Sequence, residues 1–182
     1  MYNITLPDGS VRQVEAGSSS MTVAQSISEG LARNVLAAVV NGEVWDATRP
    51  FVSDSILKLV TWNDTEGKST MWHSSAHLMA EALEALYPGI KLAIGPPIEN
   101  GFYYDFDPQN PFTPDDLEKI ESAMRKIVKE GQRFKRRVTT ESDALKELAH
   151  EPYKCELIGI KGGGTDETNV EVGGTELTIY DN

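Results

Sequence analysis

The chain has 182 residues, 40% of them hydrophobic, with a mean hydropathy of −0.34 and a net charge of −11. That size supports one large domain or two small ones, the hydropathy excludes a disordered polar chain, and the acidic balance argues against broad, non-specific nucleic-acid binding. No apolar run reaches the length of a membrane span, no signal-peptide pattern opens the chain, and the single cysteine, Cys155, leaves no internal disulfide framework, which fits a reducing cytoplasm.

Residues 1–62 read as strands around one short helix. Ile4 and Leu6 alternate in a first strand, Pro7-Asp8-Gly9-Ser10 signals a turn, and Val11 to Glu15 returns as a second strand. Ser20 is the expected N-cap of a helix with Val23, Ala24, Ile27 and Leu31 on one face, ending near Gly30. Val35 to Val40 is an apolar strand, Asn41-Gly42 a strong hairpin signal, Glu43 to Trp45 the return, and Ser55 to Val60 a closing strand. This β-β-α-β-β-β order suits a small grasp-like sheet wrapped on a helix. It contains no histidine, cysteine or carboxylate cluster, so nothing in it points to catalysis.

Polar residues 63–69 read as a linker, and a second domain over 70–182 begins with a helix whose expected core stripe is Trp72, Ala76, Met79, Leu83 and Leu86. His73 and His77 lie one turn apart on this helix, about 100° around from the stripe. Leu92 to Ile94 and Phe102 to Phe106 are expected strands, with Gly95-Pro96-Pro97 and Asn100-Gly101 supplying the bend. Thr113, Pro114, Asp115 and Asp116 open a helix with a stripe at Leu117, Ile120, Met124, Ile127 and Val128, stopped by Gly131. Phe134 to Val138 is a further strand, and Thr140 caps a short helix through Leu145 and Leu148. Lys161 to Gly164 reads as a flexible loop, and Val170 to Val172 with Glu176 to Tyr180 as a terminal hairpin around Gly173-Gly174.

Charge is uneven. Residues 1–62 carry four basic and six acidic side chains, the remainder 13 basic and 22 acidic. Inside the acidic part, Arg125, Lys126, Lys129, Arg133, Lys135, Arg136 and Arg137 are interrupted only by the acid Glu130. This run is either a solvated basic helix end that suits the macrodipole or a phosphate-contacting surface.

The histidine pair carries the chemistry. Two imidazoles on one turn can share a metal, hold a water or hand on a proton. Ser74 stands where a zinc protease has glutamate, so that reading fails. A tetrahedral zinc site needs three or four protein ligands, and His150 and Cys155, five residues apart across Pro152, have no familiar ligand spacing. His73 falls near the helix start, where the dipole disfavours imidazolium, so a neutral ring able to accept a proton is expected. Gly95 to Asp105 is either a tight structural hairpin or a pocket floor, with backbone amides near Gly95 and a tyrosine hydroxyl to orient a polar substrate.

Ile4-Thr-Leu-Pro-Asp-Gly9 and Val40-Asn-Gly42, then His73-Ser-Ser-Ala-His77, Gly95-Pro-Pro-Ile-Glu-Asn-Gly-Phe-Tyr-Tyr-Asp105 and Tyr153-Lys154, resemble in order and spacing the N-terminal half of bacterial threonyl-tRNA synthetases. The resemblance implies an α+β chain: a ubiquitin-like β-grasp (TGS) domain at 1–62, then an α+β editing domain with a helix-borne His-x-x-x-His. Such an editing domain hydrolyses seryl-tRNA(Thr). The threonine site cannot strongly reject a substrate that lacks one methyl, so a second site that admits serine completes a double sieve. By this resemblance His73 and His77 hold or activate water and the ribose hydroxyl, Lys154 assists at the amino-acid end, and Gly95, Pro96 and Tyr104 line the pocket. Lys129, Arg133, Lys135, Arg136 and Arg137 are candidate tRNA contacts, and no metal ligand is assigned in the chain.

The family's editing pocket also has a Cys-x-x-x-His element, and the sequence given stops at Asn182 before one. The expectation is therefore a C-terminally incomplete editing domain, weak or inactive alone, from a longer cytoplasmic, homodimeric ligase. ATP, magnesium and a zinc ion would serve its catalytic core. Two other classes stay open: a tRNA acceptor-arm binding module without catalysis, and a metal-binding domain using His73 and His77.

Overall fold

The computed structural model describes residues 1–161 and 177–181. The chain forms two compact units, Met1–Trp72 and His73–Asn182.

Unit one begins with β1 (Tyr2–Thr5) and β2 (Val11–Val14), joined through the predicted turn, with Gly9 at φ +81°. Next come α1 (Ser20–Ile27), α2 (Glu29–Asn34), β3 (Val35–Val40), β4 (Glu43–Trp45) and β5 (Ser55–Thr61). The sheet order is β2-β1-β5-β3-β4; β1 and β5 run parallel, and the other neighbours are antiparallel. Asn41 and Gly42 both take positive φ, +52° and +90°, as a two-residue hairpin of right-handed strands requires. One face of the sheet closes on Ile4, Val23, Ala38, Val40, Phe51 and Leu57, all at most 2% exposed.

The expected single helix is two. Ser19, not Ser20, caps α1; its hydroxyl accepts from the Thr22 N–H, and Ser20 is wholly buried. Ser28, in extended conformation, ends α1 and caps α2 by accepting from the Leu31 N–H at 3.0 Å. Ile27 is left 39% exposed, off the buried face.

The expected linker at 63–69 is a tight entry into α3 (Thr65–Leu86), whose course carries the boundary between the units. The Asp64 carboxylate accepts the Thr61 N–H and pairs with Lys58, each at 2.9 Å. Gly67 then packs on the end of β5, where a Cβ would lie 2.7 Å from the Thr61 carbonyl carbon. Polar composition hides this turn because its bonds run to side chains and backbone rather than to a hydrophobic stripe.

Unit two takes the rest of α3, then β6 (Lys91–Leu92), β7 (Pro97–Ile98), β8 (Gly101–Phe102) and β9 (Phe106–Asp107). β6 pairs with β9 and β7 with β8, so the expected strand Phe102–Phe106 is broken in two. Two backbone bonds, Ala93 N–H to Asp105 O and Asp105 N–H to Ile94 O, extend the β6–β9 ladder towards Gly95 and Tyr104. α4 (Pro114–Glu130) starts at the predicted Thr113-Pro114 signal and ends on Gly131 at φ +66°. Its burial is narrower than its pattern: Ile120 is buried, whereas Leu117 and Val128 are 62% and 63% exposed. On the unit-two part of α3 the buried residues are Ala76, Ala80, Ala82 and Leu83, with Leu86 37% exposed. Ala80 and Leu83 meet Ile90, Leu92 and Ile120 in one cluster, flanked by Met79, Tyr104 and Phe106.

β10 (Lys135–Thr139), α5 (Glu141–Glu147), α6 (Pro152–Lys161) and β11 (Leu177–Asp181) complete the described elements. Among the described residues, β11 pairs antiparallel with β10, Arg136 opposite Tyr180. Gly162–Gly164 of the expected loop, and residues 170–176 of the expected terminal hairpin, lie outside the described residues. Leu177 and Ile179 point from this ribbon into a cluster with Ala144 and Ile158. No helix among the described residues is long and apolar enough to cross a membrane.

Candidate functional site

α3 carries His73 and His77 one turn apart, and their Nε2 atoms meet at 3.2 Å. The bond needs one ring to donate and the other to accept, so both nitrogens converge on a single point with one proton between them. Burial lowers the basicity of His73. It pushes His77 down to about 4, and the neighbouring His73 ring and the Lys154 ammonium add to the effect. Both rings are therefore neutral at pH 7, with desolvation the largest cause. The expected helix-start dipole does not act here: α3 begins at Thr65, so His73 lies beyond the first turn, where that effect has fallen off.

Lys154 comes from α6, within electrostatic reach of His77. α6 is missing from the sequence-based elements, although Pro152 at its first position is a helix-start signal. Its entry is anchored by Glu151, only 3% exposed, whose Oε2 accepts the Leu92 N–H at 3.2 Å. Lys91 Nζ donates to the His150 carbonyl at 2.7 Å beside it. Two bonds thus tie the lysine's helix to the strand that leads to Gly95.

Gly95 packs against α3 between the two histidines. A Cβ on it would overlap the Tyr104 ring and lie 3.1 Å from Ala76 Cβ. Only glycine allows this approach. Tyr104 is held protonated, its pKa pushed up to about 12 by burial first and then by Glu84 and Glu151. Its hydroxyl is therefore a donor at neutral pH. Pro96 follows Gly95, half-buried.

β11 and the residue just before β10 supply two aromatic neighbours absent from the expected site. Phe134 and Tyr180 stand 5.9 and 6.2 Å from the His77 ring, centre to centre. Tyr180 lies on β11, and Phe134 just before β10, so placing them beside His77 needs the β10–β11 pairing, which the sequence pattern alone does not give.

Two cations of the basic run are held by carboxylates within the fold. Arg125 pairs with Glu121 along α4, and Arg137 pairs with both Glu147 and Asp181. Arg137, a candidate RNA contact, is thus engaged within the fold. Lys129, Arg133 and Lys135 are exposed and Arg136 is half-buried; these four have no ion pair among the described residues. Cys155 Sγ donates to the Leu148 carbonyl, and His150 is exposed. Among the described residues, no three His, Cys, Asp or Glu side chains gather where they could hold a metal ion.

Comparison with known proteins gives this arrangement its context. The TGS domain family matches residues 1–61. A threonine–tRNA ligase of Cytophaga hutchinsonii is 56% identical over 167 residues, 90% of this chain and 26% of the relative. Those of Thermobifida fusca and Parabacteroides distasonis are each 50% identical, over 96% and 97% of this chain and 26% and 28% of their own lengths. The chain spans about a quarter of the length of the curated relatives it matches. Residues 1–61 belong to the TGS domain family, and the chain as a whole belongs with the N-terminal part of the threonine–tRNA ligases.

Proposed function

We propose that unit two hydrolyses an aminoacyl ester on tRNA, removing serine from seryl-tRNA(Thr) within a threonine–tRNA ligase. The observation that carries this is the neutral histidine pair: two Nε2 atoms 3.2 Å apart, kept unprotonated by burial, beside the Lys154 ammonium. Ester hydrolysis needs a base for water, an acid for the leaving oxygen and a positive or donor group at the carbonyl. In the proposed step water oxygen attacks the ester carbon and its proton passes to the imidazole pair. The carbon–oxygen bond to ribose then breaks, and the same proton returns to the ribose oxygen. Lys154 faces the developing negative charge. Tyr104 and the backbone at Gly95 border the acyl pocket, with Pro96 at its edge.

ATP-dependent charging of tRNA(Thr), with its magnesium and zinc, is proposed only for a full-length protein that carries this chain, as are its homodimeric state and cytoplasmic location. The test is deacylation of seryl-tRNA(Thr) by that protein. His73→Ala and His77→Ala should each lower the rate by about 10²–10³-fold, the scale of lost acid–base catalysis. Parent-like hydrolysis by the double variant sinks the proposal. A binding module without catalysis is the second reading, favoured by Lys129, Arg133, Lys135 and Arg136, which have no ion pair among the described residues. Parent-like tRNA binding with no hydrolysis under any condition would select it.

A further inference from the structure

β10 places consecutive arginines on opposite faces, and they do different work. Arg137 turns with Leu177 and Ile179 towards α5 and is bound there by Glu147 and Asp181. Arg136 is the direct cross-strand partner of Tyr180. Directly opposed residues share a face, with Cβ atoms about 5 Å apart. Phe134, immediately before β10, also reaches the His77 ring. Both aromatic rings lie against His77, at 5.9 and 6.2 Å. Arg136 therefore stands on the face of the ribbon that looks at the histidine pair, half-buried and without an ion pair among the described residues. A guanidinium is always charged and matches a phosphate with two parallel N–H donors.

We propose that Arg136 binds the RNA backbone phosphate next to the reacting ester, fixing the 3′ end so that the ester falls at the histidine pair. The inference rests on the RNA-ester reading above and narrows it. Of the cations in the run, Arg136 is the one joined through Tyr180 to His77, whereas exposed Lys135 on the opposite face can serve only as a general attraction. Arg136 is a positioning residue; proton transfer belongs to the histidines and charge stabilisation to Lys154.

The test is binding of two uncharged RNA minihelices to the chain, one with a single-stranded 3′ end and one blunt, by fluorescence anisotropy across a salt series. Arg136→Gln should weaken binding of the 3′-tailed RNA about tenfold and reduce its salt slope by about one, leaving the blunt RNA unchanged. Arg136→Lys should keep the slope and recover part of the affinity. Lys135→Gln should affect both RNAs alike. Equal effects of Arg136→Gln on the two RNAs, or none on either, overturn the assignment, as does a parent chain that binds neither. An unchanged melting temperature shows that Arg136→Gln still folds. Binding is read without hydrolysis, so failure of the ester chemistry and failure of the phosphate contact appear separately.

Discussion

His77 should make unit two acid-sensitive. Its ring titrates at about 4 in the fold against 6.5 for the free group, because burial and the nearby His73 and Lys154 disfavour its charged form. Between those values the unfolded chain binds more protons than the folded one, so protonation pulls towards unfolding. The stability associated with the neutral ring is present above pH 6.5 and is lost as pH falls towards 4. Integrating the linkage from pH 7 to pH 5 gives about 2 kcal/mol, reduced towards about 1 kcal/mol by water reaching the part-exposed ring. The assay is urea unfolding at pH 7, 6 and 5, followed by the histidine C–H resonances. All three histidines lie in unit two, whereas Trp45, Trp62 and Trp72 report on unit one. Stability should fall more steeply with acid in the parent than in His77→Gln. A parallel decline in the two proteins, or a His77 resonance that titrates near 6.5, refutes the reasoning.

Gly95→Ala should destabilise unit two by about 1–3 kcal/mol, because the new methyl overlaps the Tyr104 ring; thermal melting of the double variant with Tyr104→Ala should show the collision partly relieved. Leu83→Ala, at 0% exposure in the α3 cluster, should cost about 2–5 kcal/mol in chemical denaturation. Arg137→Gln should leave RNA affinity within about twofold of the parent in the anisotropy assay, because that arginine is already held by Glu147 and Asp181.

Turn chemistry made much of unit one legible. Asp8-Gly9 and Asn41-Gly42 can be read because each demands a backbone conformation that few residues tolerate, and both hairpins form where those pairs stand. The start of α4 at Thr113-Pro114 and its stop at Gly131 are legible for the same reason. Elements held by side-chain bonds were not. The entry to α3 depends on Asp64 meeting the Thr61 N–H, and the split after α1 on one serine ending a helix and beginning another. In the site, His73 and His77 follow directly from helical spacing. Their neutrality follows from burial by segments distant in the chain, and Phe134, Tyr180 and Glu151 reach the site through pairings that periodicity does not encode. The basic run misleads for a related reason: neighbours in sequence point to opposite faces of a strand, so a charged stretch need not be a charged surface.

The strand order of unit one also bears on how it is made. β5, the last of its five strands to leave the ribosome, sits at the centre of the sheet, between β1 and β3. Until residue 61 has emerged, the unit consists of two separate hairpins, β1–β2 and β3–β4, with no strand to join them. An isolated two-stranded hairpin is marginal in water. Cooperative folding therefore waits for the final strand and then closes by a contact, Ile4 beside Ser55, that spans nearly the whole unit. During synthesis unit one has no stable partial form to rest in: it completes as a whole, while the helix bearing the histidines is only beginning to appear.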